Sequence, residues 1–390
     1  MERKFVYMDN AAATQADPDV VQAMLPYFTD TYAVASSQFS HSPGIMAREG
    51  LDQAREFIAE KLRAEPDEII FTSGGTESNN LVIKGTALAN RGKKDHIICS
   101  KIEHNSVLHS CQWLESQGFK LTTIGVDEEG FINLDQLKKS MTDKTYLVSV
   151  QYGNQEVGTV QDIAQVANLC KEKGVLFHTD ASLSFTQLEL DVQKIPVDLI
   201  TMSSHKIHGP KGVGALFVRK GTPIKKIFHG GYSEFDIRPG TENVAGAVGF
   251  GKAVSLVKPK HIEHVRALQK MLHDNLVESI DGVRINGPQD FNKRLPGNVN
   301  ISFDLIEGES VVLHLDMKGI SVITGSACFS RSLEPSYVMM ALGYTHERAH
   351  GSIRFTLSRF NQNDEIDYVV QSCKEVVESL RKISPLKNKE

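Results

Sequence analysis

The 390-residue chain carries 43 basic and 48 acidic residues, a net charge of −5, so it has no electrostatic footprint for nucleic acid or an anionic membrane. Its 41% apolar content excludes a disordered chain, and ordinary Gly and Pro counts exclude a collagen-like one. The length allows two to three folding units at roughly 150 residues each. No apolar run reaches the roughly 18 residues of a membrane helix, and residues 1–10 hold no secretory-type apolar stretch. A soluble cytoplasmic protein is therefore expected.

Strand-like apolar runs occupy residues 68–72, 96–100, 120–125, 145–151, 175–179, 198–203 and 213–218. Amphipathic helices separate several of them, such as Leu51, Ala54, Phe57, Ile58 and Leu62, or the Ile163 to Cys170 stripe closed by Gly174. Alternation of this kind predicts an α/β fold with a mainly parallel seven-stranded sheet flanked by helices. Near residue 260 the pattern changes. A helix through Leu268, Leu272 and Leu276 leads to strands expected near 298–303, 311–316 and 353–357, then a last helix over about 364–382. The expected division is a large α/β domain over 15–259 and a smaller α+β domain from 1–14 and 260–390.

Five cysteines without Cys-x-x-Cys spacing suit a reducing compartment rather than a disulfide framework. Cys99, Cys170 and Cys373 lie in apolar runs or stripes and read as inert core thiols. Cys328 is different. It sits in the small, polar stretch Thr324–Ser332 and is the candidate nucleophile.

Several motif matches fail on context. Gly246–Lys252 resembles a phosphate loop but is followed by Ala253, where a metal-binding hydroxyl belongs, and it follows no strand. Gly209–Gly214 precedes a strand, the wrong order for a dinucleotide fingerprint. The pairs His205/His208 and His261/His264 lack metal-site partners in the sequence. The informative residues instead follow the carboxyl ends of strands, where open α/β sheets bind ligands. Thr72-Ser-Gly-Gly75-Thr76 opens a helix and offers an anion cradle. Asp180 follows one strand, and Ser203-Ser-His-Lys206 follows another. A phosphate cradle, an acid and a lysine on one rim are the parts of a pyridoxal phosphate site.

With these residues in place, the chain resembles the cysteine desulfurases of the NifS/IscS type, fold-type-I pyridoxal phosphate enzymes of the class-V aminotransferase family. The likeness runs through Tyr7–Ala12, Phe71–Asn80, Glu103-His104, Ser204–Gly214, Arg238–Asn243, Gly325–Cys328 and Ser352–Phe355. It implies that Lys206 forms the Schiff base and shuttles the substrate α-proton. It implies that His104 stacks on the cofactor ring and Asp180 pairs with the ring nitrogen. Gly75, Thr76, Ser203 and His205 would hold the phosphate, with Thr241 reaching in from the second subunit of a homodimer. Gln155 joins the cofactor-binding set, while Arg354 and Asn154 would bind the substrate. Cys328 would take the sulfur of L-cysteine as a persulfide for an iron–sulfur scaffold or another acceptor protein. No resident metal is implied, although Cys328 could serve as a transient cluster ligand.

The chain departs from the family pattern in one part of the pocket. The usual Asn-Asn-Glu reads Asn154-Gln155-Glu156, and Asp-Ala-x-Gln reads Asp180-Ala-Ser-Leu183, removing a donor to the cofactor's phenolic oxygen. The Asn-Pro-Ser-Ser segment reads Ser36-Ser-Gln38-Phe39. A selenocysteine lyase or related β-lyase is the nearest alternative. A weakly active scaffold protein is the alternative of a different class, and retention of Lys206 and Cys328 argues against it.

Overall fold

The computed structural model describes residues 5–325 and 334–385. From the N-terminus come β1 (Val6–Tyr7), α1 (Pro18–Met24), α2 (Pro26–Thr29), α3 (Ser42–Leu62), β2 (Ile69–Thr72) and α4 (Gly75–Asn90). Next are β3 (His96–Ser100), α5 (Asn105–Ser116), β4 (Lys120–Ile124), α6 (Leu134–Ser140), β5 (Thr145–Ser149) and α7 (Ile163–Lys173). Then follow β6 (Leu176–Asp180), β7 (Leu199–Ser203), β8 (Gly214–Val218), α8 (Val244–Leu256), α9 (Pro259–Ser279), β9 (Val283–Ile285) and β10 (Asn298–Phe303). The last stretch holds α10 (Gly308–Met317), β11 (Ile320–Ser321), α11 (Tyr337–Ala341), α12 (His346–His350), β12 (Ser352–Thr356) and α13 (Asn363–Ile383).

The seven expected strands form one sheet in the order β2-β8-β7-β6-β5-β3-β4. The β7-β6, β6-β5, β5-β3 and β3-β4 contacts are parallel, whereas β8 runs antiparallel to β2 and β7. Interior strands such as β3, β5, β7 and β8 are buried along their whole length, as continuous apolar runs require when helices cover both faces. β4 lies at one edge, opposite β2, and its exposed Lys120 discourages pairing with another chain. Gly246, Gly249 and Gly251 lie inside α8, not in a loop. A Cβ on Gly251 would stand 2.6 Å from the Cα of Ala54, so this glycine lets α8 seat closely on α3. Helix contact, not phosphate binding, accounts for the motif.

Beyond α8 a second apolar core gathers residues of α9, β10, α10, β12 and α13. Its sheet is antiparallel, in the order β12-β10-β9. The strand expected near 311–316 is instead α10. Val311 and Leu315, four residues apart, face this core while Leu313 points outward, so the burial period is helical. Val6 and Met8 join the same core, and β1 pairs in parallel with β11. The chain then crosses to the large sheet, where Thr14 N donates to His205 O at 2.9 Å. Cys99, Cys111, Cys170 and Cys373 are all buried and free.

Candidate active site

The carboxyl ends of β2, β6 and β7 open onto one cleft of about 570 Å³. At the end of β2 the backbone of Gly74 adopts φ 144°, a region open only to glycine, and turns directly into α4. The next glycine, Gly75, packs so near the β6 loop that a Cβ would lie 2.9 Å from Ser182 Oγ. The first turn of α4 therefore offers bare backbone N–H groups with Thr76 beside them. Ser203 Oγ and His205 Nδ1 lie 3.1 Å apart across the same end of the cleft. Desolvation, reinforced by Lys206 and Lys211, lowers the His205 pKa to about 4, so its ring is neutral at physiological pH.

Asp180 ends β6 and is held by Asn79 Nδ2 at 2.7 Å and by Ser182 N at 2.9 Å. Behind it His178 is fully buried between Ser149 Oγ at 2.8 Å and Thr201 Oγ1 at 3.1 Å. Burial lowers its pKa to about 4, leaving an uncharged support. His104 caps α5, accepting from Ser106 N at 3.2 Å through Nδ1. Desolvation in the cleft lowers its pKa, with Asp180 opposing and Lys206 reinforcing the shift. Lys206 stands on the single turn after β7, and its Nζ donates to Ala11 O and, at 2.8 Å, to Ala12 O.

These residues fit pyridoxal phosphate on the geometry alone. Asp180 faces the cleft with its carboxylate already oriented, and the Asn79 Oδ1 beside it is buried without a partner among the described residues. The glycine-lined end of α4 has no side chain to occupy an anion's place. Asp180, His104, Lys206, Ser203, His205, Gly75, Thr76 and Gln155 all line the one cleft.

Other expected site residues stand apart from that lining. Asn154 is fully buried and spends its side chain on the turn itself. Its Oδ1 accepts from Glu156 N and Val157 N at 2.9 Å, and its Nδ2 donates to Ile102 O at 3.1 Å. Arg354, on β12, donates to Gln155 O at 2.9 Å and forms an ion pair with Asp9 at 2.7 Å. Thr241 is exposed and absent from its own chain's cleft. Cys328 lies outside the described residues.

The cleft also holds residues that the sequence reading missed. Asn79 sits one turn into α4 from Gly75, and that spacing could have exposed it. Gln151 carried no local signal, and the buried acids Glu103 and Glu156, which stood in the quoted motifs without a role, lie beside the cleft outside its lining. Glu103 accepts from Ser100 Oγ at 2.5 Å and Gln151 N at 2.8 Å, and burial pushes its pKa up to about 8. Leu183, Gln155 and Lys206 also border an adjoining, largely apolar cavity of about 720 Å³.

A family model described as aminotransferase class-V matches residues 6–369. The cysteine desulfurase IscS of Clostridium botulinum is 46% identical over 395 residues, covering 99% of both chains. Among solved structures, a NifS-like protein superposes with a TM-score of 0.90 at 34% identity, covering 97% of this chain and 100% of its own. SspA in complex with cysteine matches with a TM-score of 0.82 at 33% identity, covering 92% of this chain and 100% of its own. A family match over nearly the whole length, with a relative this close end to end, places the chain among the cysteine desulfurases of the aminotransferase class-V family.

Proposed function

We propose that the chain converts L-cysteine to L-alanine with pyridoxal phosphate and passes the sulfur on through a persulfide at Cys328. The convergence of Lys206, Asp180, His104 and the open end of α4 on one cleft carries this reading. Bound at a lysine, pyridoxal phosphate supplies an electron sink for bonds at the substrate's α-carbon. Lys206 Nζ provides that attachment and then moves the α-proton, a short transfer for a flexible amine. With the cofactor bound, Asp180 would hold the ring nitrogen in its protonated form and His104 would cover the ring. Ser203, neutral His205 and the N–H groups of Gly75 and Thr76 donate to the phosphate. Arg354 matches a carboxylate with two parallel donors.

Cys328 then attacks the substrate sulfur as a thiolate. An S–S bond forms as the Cβ–S bond breaks, the electron pair stays with carbon, and a proton completes alanine. The acceptor is an iron–sulfur scaffold or another sulfur-accepting protein in the cytoplasm. The active form is a homodimer in which Thr241 of one protomer completes the partner's phosphate site. Exposed Phe28, Tyr32, Phe39 and Tyr232 support an apolar interface. Among the described residues no helix is long and apolar enough to cross a membrane. The core of Val6, Met8 and residues 265–380 is separate from the two built on the large sheet, which supports a division into 15–259 and 1–14 with 260–390, Ile102 and Val157 packing on Val338 and Met339 at the seam.

Incubation of the purified protein with L-cysteine and a reductant is expected to give alanine and sulfide in equal amounts. Cys328→Ser is expected to keep the spectral response to L-cysteine and lose the protein persulfide. Pyruvate in place of alanine, or a persulfide mapped to Cys111, would overturn the reading.

A further inference from the structure

The carboxyl group of Glu156 touches both stretches that flank residues 326–335. Its Oε2 accepts from Ser336 Oγ at 2.7 Å, and that hydroxyl in turn accepts from Met339 N at 3.3 Å to cap α11. On the other side, a Cβ built on Gly325 would collide with Glu156 Oε1 and stand 2.5 Å from its carboxyl carbon. The φ of Gly325 lies outside the left-handed region, so its bare Cα answers to space and not to backbone strain.

Glu156 is itself held rigidly. Its N–H donates to Asn154 Oδ1 at 2.9 Å, and its carbonyl accepts from Asn298 Nδ2 at 3.1 Å and Asn300 Nδ2 at 3.0 Å. Arg354 ties in through the same node: it pairs with Asn300 across β10 and β12, donates to Gln155 O, and bridges to Ile323 through its backbone. Nothing in the proposed reaction uses Glu156, yet a carboxyl is costly to bury and this one is only 4% exposed.

We infer that Glu156 is a positioning residue, whose carboxyl fixes Gly325 and Ser336 relative to each other and to Arg354 and so aims the segment carrying Cys328. The inference rests on the desulfurase reading. Oε1 makes no hydrogen bond among the described residues, so this contact with Gly325 is one of shape. Ser336 and Gly325 are reached from opposite oxygens of one group, and removing that group frees both at once.

The test uses the pyridoxal phosphate-loaded protein and single turnovers with L-cysteine. Glu156→Ala and Gly325→Ala should each slow persulfide formation on Cys328 by about tenfold or more, with the L-cysteine dependence of the spectral change held within about twofold. Glu156→Gln keeps the shape and an oxygen for Ser336, and should restore most of the rate. In the double variant the new methyl meets no carboxyl, so its rate should exceed the product of the two single effects by about fivefold or more. Iodoacetamide alkylation of Cys328 without L-cysteine should change by about threefold or more in both single variants.

Simple multiplication of the two effects would overturn the inference. So would loss of the spectral response in step with the rate, an equal loss in Glu156→Gln, or unchanged alkylation. Failure of the desulfurase reading shows differently: the unsubstituted protein itself would form no alanine or no Cys328 persulfide.

Discussion

On one wall of the cleft, Asp180, Ser203 and the first turn of α4 stand where β6, β7 and β2 of a single sheet end. The other presents Gln155, backed outside the lining by Glu156 from the same loop after β5 and by Arg354 from β12 of a separate sheet, with Asp9 closing the group. The first wall is set by backbone topology, with Asn79 Nδ2 bonded to Asp180 across neighbouring elements. The second is assembled from side chains far apart in sequence. Like Asn79 Oδ1 on the first, its Arg354 Nε and Glu156 Oε1 are buried without hydrogen bonds among the described residues. On the proposed function, cofactor anchoring is thus inherited from the fold, whereas substrate placement and sulfur transfer depend on individual contacts.

The sharpest challenge to this contrast is Lys206→Ala. It is expected to abolish the visible absorbance of lysine-bound cofactor and to lower alanine formation by at least about a thousandfold, within the range for loss of a proton-transferring group. Retained absorbance together with retained turnover would break it. Arg354→Lys probes the opposite wall. Absorbance should persist while KM for L-cysteine rises about ten- to a hundredfold, the scale of one lost charge-assisted hydrogen bond. A fall in kcat at unchanged KM would move Arg354 out of substrate binding.

The same contrast explains what could be read from the amino-acid order. A continuous apolar run that ends in Asp180 or in Ser203–Lys206 marks both a buried strand and its rim, so the sheet and the anchoring wall were legible. The failures lie where tertiary contact decides. Val311 to Leu315 reads as alternating until Leu313 turns outward. Asn154 looks available for a ligand, but its amide closes a turn. Nothing near Glu156 in sequence announces Gly325 or Ser336, because those contacts close across 169 and 180 positions.

Buried acids beside the cleft give a smaller, pH-dependent effect. Glu103 holds its proton to about pH 8 when folded, against an ordinary value of 4.5, so the folded chain binds more protons than the unfolded one between those values. Stability must then fall as pH rises through that window, by up to about 1.4 kcal/mol per unit for one proton. His178 and His205, lowered to about 4, act with the opposite sign only below their ordinary 6.5. Glu156, at about 7, acts like Glu103 but finishes sooner. Above about pH 7 the slope therefore belongs mainly to Glu103. Urea unfolding of Glu103→Gln at pH 7 and 8 should show a flatter dependence than the unsubstituted chain. Equal slopes would remove Glu103 from the balance.

The smallest expected effect is at Leu183, where the two cavities share a wall. A donor aimed at the cofactor's phenolic oxygen stabilises the negative charge there, which is greatest once the neighbouring nitrogen has lost its proton. Such a donor therefore lowers the pH midpoint of the visible band. Leu183 supplies none. Gln155 lines the same cleft, but its Nε2 donates to Tyr337 Oη at 3.3 Å, and that hydroxyl is anchored on Glu103 O at 2.6 Å. Its amide is thus partly committed to Tyr337. Leu183→Gln should lower the midpoint by about 0.7 unit, corresponding to one neutral hydrogen bond of about 1 kcal/mol. Gln155→Ala should raise it by less, because the donor removed was shared with Tyr337. Spectrophotometric titration of both variants ranks the two shifts. A larger shift in Gln155→Ala would mean that its amide leaves Tyr337 for the ring when cofactor is bound, tying the two walls together more closely than their separate origins suggest.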